Sequence, residues 1–171
     1  AAVQAATGEQ IRRQQALDLS EFMDQSLAGV TVNAAQHNPF QPDLSFRGFS
    51  ASPLLGTPQG LSVFVDGVRV NEAFGYTVNW DLIPRSAISS INLIPGSNPL
   101  FGLNTLGGAL AVHTKSGFQY PGLAVQALGG SWDRQAWEFE YGGFRDRVDW
   151  FVTGNLFQED GWREHSPSKL R

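Results

Sequence analysis

Between Leu61 and Gly117 the chain reads LSVFVDGVRVNEAFG and later WDLIPRSAISSINLIPGSNPLFGLNTLGGALAVHTKSG, a run of short apolar stretches cut by glycine turns. Leu61, Val63 and Val65 alternate with Ser62 and Phe64, which predicts a strand with one aliphatic face, and Asp66-Gly67 is a strong hairpin signal. Val68-Arg69-Val70 is the natural return arm. Ile91-Asn92-Leu93-Ile94, stopped by Pro95-Gly96, is a second apolar run, and Ala109 to Thr114, after Gly107-Gly108, is a third. Strands this short are not stable alone, so the pattern predicts a small mixed sheet with short helices packed on it, an α/β arrangement.

Upstream, Asp18 with Glu21 three residues on makes a capping box. Leu19, Phe22, Met23 and Leu27 follow at helical spacing, and Gly29 is placed to end a helix over residues 19–28. Next comes Phe46-Arg47-Gly48-Phe49. An arginine beside a glycine and between aromatics fits either a ligand anchor or a plain surface turn.

A helix ending in LAGV, then FRGF, a VFVDGV hairpin, IP before a strand, PGS-x-x-LFG and GGALAVHTKSG stand in the order and spacing of the plug domain of TonB-dependent outer-membrane receptors, which residues 17–117 resemble. The resemblance implies a plug over residues 1–117 and the first strands of a transmembrane β-barrel over 118–171. It also implies uptake across the outer membrane of a Gram-negative cell. The ligand, an iron-siderophore, haem, cobalamin or carbohydrate, would bind above the plug, and the TonB energy-transducing complex would drive the import. Where relatives carry a charged stretch and an arginine before a Gly-Pro turn, this chain has Ser89, Ser90, Asn92, Pro95 and Ser97. Ala1 to Gln15 is polar and Ala/Gln-rich and holds no recognisable TonB box.

After Gly117 the period changes to two. Leu123, Val125 and Ala127 alternate with Ala124, Gln126 and Leu128; Trp137, Phe139 and Tyr141 alternate with Ala136, Glu138 and Glu140; Val148, Trp150, Val152 and Leu156 alternate with Asp149, Thr153 and Asn155. Three strands of about 8 to 11 residues, the length a tilted membrane strand needs, are expected, with aromatic rings on one face and carboxylates on the other. An ordinary half-buried antiparallel meander has the same pattern; position directly after a plug-like segment favours the barrel wall. Turns are expected at Gly129-Gly130-Ser131 and at Gly142-Gly143 to Asp146, with Ser131–Arg134 and Glu159–Arg171 as outer loops. Three strands cannot close a barrel, which takes at least about 8, or about 22 for a plugged transporter, so the chain reads as a fragment. Outer-membrane lipid would then cover the outward rings.

Composition narrows the alternatives. No apolar run among the 171 residues approaches the roughly 20 that a spanning helix needs, and nothing resembles a signal peptide, which implies a mature or trimmed segment. A net charge of -4 without a basic, aromatic-interleaved cluster argues against nucleic acid. No cysteine is present, which removes disulfides and thiol catalysis together.

Catalytic chemistry finds little support. His37, His113 and His165 lie far apart without a second ligand at metal spacing, so no metal or other cofactor is expected. Glu138 and Glu140 fall on one strand face as solvated carboxylates rather than flanking a bond. Asp66 reads as a turn residue, and neither Phe101-Gly102 nor Gly107-Gly108 has a phosphate-cradling context. The candidate ligand-binding residues are Arg47 and Phe49 of the FRGF turn together with Phe74, Tyr76 and Trp80 of NEAFGYTVNW. The first two would sit at the outward end of the plug. The last three would form part of a ligand floor, or else a small satellite core. A soluble β-rich binding or adhesion module is the alternative to a receptor.

Overall fold

The structure, a computed structural model, describes residues 3–14, 16, 18–33, 40–160 and 168–170. His37 and His165 lie outside them. Two compact units divide between Thr114 and Lys115, where the sequence suggested Gly117.

The first unit runs β1 (Gln4–Thr7), α1 (Gly8–Arg13), α2 (Leu19–Ser26), β2 (Val30–Asn33), β3 (Asp43–Phe46), β4 (Phe49–Ala51), β5 (Leu61–Val65), β6 (Val68–Arg69), β7 (Ile88–Pro95) and β8 (Gly108–Thr114). Its larger sheet has the order β1-β7-β8-β5-β6 and is mixed, because β5 runs parallel to β8 while the other pairs are antiparallel. The three strands β2-β3-β4 form a second sheet. Asp66 and Gly67 both take left-handed φ angles, 48° and 82°, which is what a two-residue hairpin turn demands.

Within the N-terminal stretch that reads as polar and Ala/Gln-rich, Gln4–Thr7 forms a strand and Gly8–Arg13 a helix. Thr7 caps α1, its hydroxyl accepting from the Gln10 amide while the Gln10 side chain accepts from the Thr7 amide. Ala6 is buried as β1 pairs with β7. The Asp18 carboxylate accepts the Glu21 amide at 2.8 Å and starts α2. The helix ends at Ser26, short of the expected residue 28, and Gly29 at φ 83° lets the chain turn into β2. Phe22 and Met23 of α2 meet Phe46, Val63, Ile91 and Leu110 of the sheets in one core, each such side chain contributing about 1.5–3 kcal/mol of burial.

The second unit contains β9 (Gly122–Gly130), β10 (Arg134–Arg145), β11 (Val148–Glu159) and β12 (Ser168–Leu170), antiparallel in the order β12-β11-β10-β9. Four strands replace the expected three. Ser168–Leu170, assigned to a loop from sequence, pairs with Phe157–Glu159, and three residues are too few to show a period. The glycine turns also move. Gly142 and Gly143 stay inside β10 and the turn falls at Asp146-Arg147, with Asp146 at φ 55°; Gly129 and Gly130 end β9 and the turn is Ser131 to Asp133. Registry places Leu123, Val125, Trp137, Phe139, Tyr141, Val148, Trp150, Val152 and Leu156 on one face, all exposed in this unit.

Candidate functional site

Three connections of the first unit, residues 52–60, 71–79 and 96–107, are stitched together at the ends of β4, β5, β7 and β8. Val78 donates its amide to Ser52 O at 3.0 Å, and Gly107 donates to Gly60 O at 2.9 Å. The Asn71 side-chain amide donates to Leu61 O and Tyr76 O, while its oxygen accepts from the Val63 amide. One Arg69 nitrogen donates to Leu103 O at 2.7 Å, and the guanidinium carbon lies 5.4 Å from the Tyr76 ring centroid. Ser62 and Thr105 share a buried hydroxyl hydrogen bond.

On this scaffold the chain exposes apolar side chains that a solvated loop does not need. Leu100 is 89% exposed and Phe74 81%, and Leu55, Leu103 and Leu106 are also open to solvent. Leu55 rests against Gly75, and Phe49, partly exposed, lies over Gly60 and Gly107. Phe49, Leu106, Leu55, Phe74, Tyr76 and Leu103 thus lie on or beside these hydrogen-bonded connections, with the Arg69 guanidinium over the Tyr76 ring. Sequence reading missed the leucines, although PLFGLNTL, a loop with four apolar side chains, carried the signal.

The candidate residues divide. Arg47 and Gly48 form the β3–β4 turn, both left-handed at φ 52° and 86°; Arg47 is exposed, its guanidinium 5.1 Å from the Phe46 ring and its amide donating to Gly29 O. Phe49, Phe74 and the half-buried Tyr76 reach solvent. Trp80 does not. It is 4% exposed and donates its indole N–H to Ala51 O at 3.1 Å, so this ring fills core space beneath the loop. An apolar cavity of about 200 Å³, lined by Val65, Val70, Leu82, Ile83 and Ile88, also carries Glu72, whose carboxylate accepts from Asn79 at 3.1 Å.

Asp66 proves to be the clasp of its hairpin. Its carboxylate accepts the Thr114 hydroxyl at 2.6 Å and the Thr114 amide at 2.9 Å, tying the β5–β6 turn to the end of β8, with His113 4.0 Å away. Partial burial by itself would raise the carboxyl pKa. The two hydrogen bonds and the imidazole outweigh it and hold the group below the ordinary aspartate value. Glu140, expected to be solvated, is instead paired: its carboxylate accepts from Lys115 Nζ at 2.7 Å.

The family model described as TonB-dependent Receptor Plug Domain matches residues 1–109. The chain belongs to that family. Its plug sheet, the β5–β6 hairpin and the three stitched connections fall within or directly beside the matched residues. The chain is 30% identical over 134 residues to the Vitamin B12 transporter BtuB of Vibrio cholerae, which covers 78% of this chain and 21% of the transporter. It thus spans about one-fifth of the length of the curated relatives it matches. The fold is that of larger solved receptors. Copper transporter OprC superposes with a TM-score of 0.71 at 15% identity, covering 98% of this chain and 26% of that one. FpvA of P. aeruginosa, bound to heterologous pyoverdines, gives 0.67 at 17%, covering 92% and 20%. Family membership sets aside the soluble adhesion module.

Proposed function

We propose that this plug and the strands after it belong to a Gram-negative outer-membrane receptor that imports a scarce ligand with energy from the TonB complex. The observation that carries this reading is a plug whose three hydrogen-bonded connections expose apolar side chains, Leu55, Phe74, Leu100, Leu103 and Leu106, where a solvated loop set would be polar. Strands β9 to β11 support it, since their apolar face of Leu, Val, Trp, Phe and Tyr suits a bilayer-facing wall. On this reading Phe49, Phe74 and Tyr76 form part of the ligand floor. Arg47 stands at its margin, where a planar guanidinium suits an oxygen-rich ligand or a carboxylate of the barrel wall. Trp80 supports the floor from below. Such a surface recognises cargo by ring and aliphatic contact, as cobalamin, haem or an aromatic siderophore would offer.

The test uses the full-length parent protein in cells with and without TonB, supplied with cyanocobalamin, haemin, ferric siderophores and maltodextrins in turn. One cargo is expected to accumulate only when TonB is present. Accumulation that is the same in both strains for every cargo would overturn the reading.

A further inference from the structure

The second unit begins with a segment, Lys115 to Pro121, that is seated on its own sheet by close contacts. The Lys115 side chain is 3% exposed, and its ammonium donates to the Glu140 carboxylate of β10 at 2.7 Å. It also lies 5.2 Å from the Tyr120 ring centroid and 5.7 Å from that of Phe151. Phe151 and Glu140 share the face opposite the exposed aromatic row, so the ammonium is enclosed by a carboxylate and two ring faces. Taking a lysine out of water is costly unless it is paired, and breaking such a pair strands the partner's charge.

Two glycines make the seat possible. A β-carbon on Gly117 would stand 2.1 Å from Gly143 O and 2.3 Å from Trp150 O; one on Gly142 would stand 2.0 Å from Tyr120 O. Both obstacles are backbone, which cannot swing aside. The segment therefore lies backbone against backbone on β10 and β11, where any side chain at these positions would lift it off. A turn closes it, with the Tyr120 amide donating to Ser116 O at 3.0 Å.

We propose that Lys115 is a positioning residue: with Glu140, and through the Gly117 and Gly142 seats, it fixes Lys115–Pro121 to the four-stranded sheet, so that any displacement or local unfolding of the plug ends at Thr114. The lock gives the connection between plug and wall a defined boundary. Its consequence for transport rests on the proposed uptake function, in which the plug gives way to cargo; the lock itself does not.

The experiment is hydrogen exchange followed by mass spectrometry on the full-length parent protein in lipid, with denaturant added in steps. In the unmodified protein, amides of residues 116–120 are expected to exchange as slowly as those of β10 after those of β8 have been released. Exchange of 116–120 together with β8 would overturn the proposal. Glu140→Gln and Lys115→Met each remove the charge pair while keeping most of the packing. Either should speed exchange of 116–120 by roughly tenfold or more while β9 to β11 stay protected. The double swap Lys115→Glu with Glu140→Lys should restore part of the protection. Unchanged exchange in both single variants would overturn the role of the pair, and should a variant not assemble, the comparison within the unmodified protein still decides. A parent protein that imports nothing would sink the uptake reading and leave these exchange rates as they are.

Discussion

The indole of Trp150 lies over Gly143, its directly opposed neighbour on β10, so closely that a β-carbon on the glycine would sit 2.5 Å from the ring's Cζ2. The arrangement recurs. Phe139 covers Gly154 on the same face, where a β-carbon would meet Cε1 at 2.4 Å, and Phe151 stands opposite Gly142 on the other face. Glycine inside a strand gives up side-chain packing, and a cross-strand ring laid over it recovers the lost contact. This pairing explains why β10 and β11 run for twelve residues each through positions that read as turns.

Gly143→Ala should therefore destabilise the sheet by about 1–3 kcal/mol, because the ring must leave its place. Gly143→Ala combined with Trp150→Leu should recover most of that loss. Denaturant midpoints of the full-length protein in lipid check both, and an Ala variant as stable as the parent would show that the ring moves freely.

Trp150 also tests the membrane-facing assignment. If its face meets lipid, Trp150→Arg should impair assembly by about 2–4 kcal/mol at mid-depth, whereas Thr153→Arg on the opposite face should cost much less. Folding yields into vesicles at increasing urea report the difference. Equal tolerance of both would mean that the row faces water.

The Asp66 clasp predicts a dependence on acidity. The folded carboxyl has a depressed pKa, so its contribution is complete above the unfolded value of about 3.9 and is lost as the pH falls through the lower folded value. Asp66→Asn should flatten the acid-side loss of plug protection, leaving neutral stability lower by at most about 1 kcal/mol because the group is half exposed. Exchange of the Thr114 amide across an acid series, corrected for intrinsic rates, measures it.

How much of this was legible in the sequence depended on the kind of signal. The Asp66-Gly67 hairpin, the Asp18 cap and the strands ending at Pro95 and Thr114 are local, since turn chemistry and period are written in consecutive residues. Membership of the plug family was readable from the order of several weak motifs. Gly142 and Gly143 were misread because the ring that fills each gap arrives from another strand, which no local window contains. Glu140 was misread for the same reason, its lysine lying 25 positions away. Trp80 looked like Phe74 and Tyr76 in sequence, and only the carbonyl of Ala51, brought near by β4, separates them.

That separation gives the last prediction. Trp80 and Phe74 sit six residues apart, one 4% and the other 81% exposed, so their roles should part in experiment. Trp80→Phe leaves Ala51 O without its indole donor and opens space in the core, which should cost about 1–3 kcal/mol, seen as faster exchange of residues 51–52 and 78–82. Phe74→Ala removes a ring that is 81% exposed. It should leave exchange unchanged yet weaken binding of the TonB-dependent cargo, by about 1–3 kcal/mol if the ring stacks on it. Binding titrations of both variants in the full-length receptor, run beside the exchange measurements, decide. Cargo affinity untouched by Phe74→Ala would remove that ring from the floor, and loss of affinity in Trp80→Phe without any change in exchange would place the indole there instead.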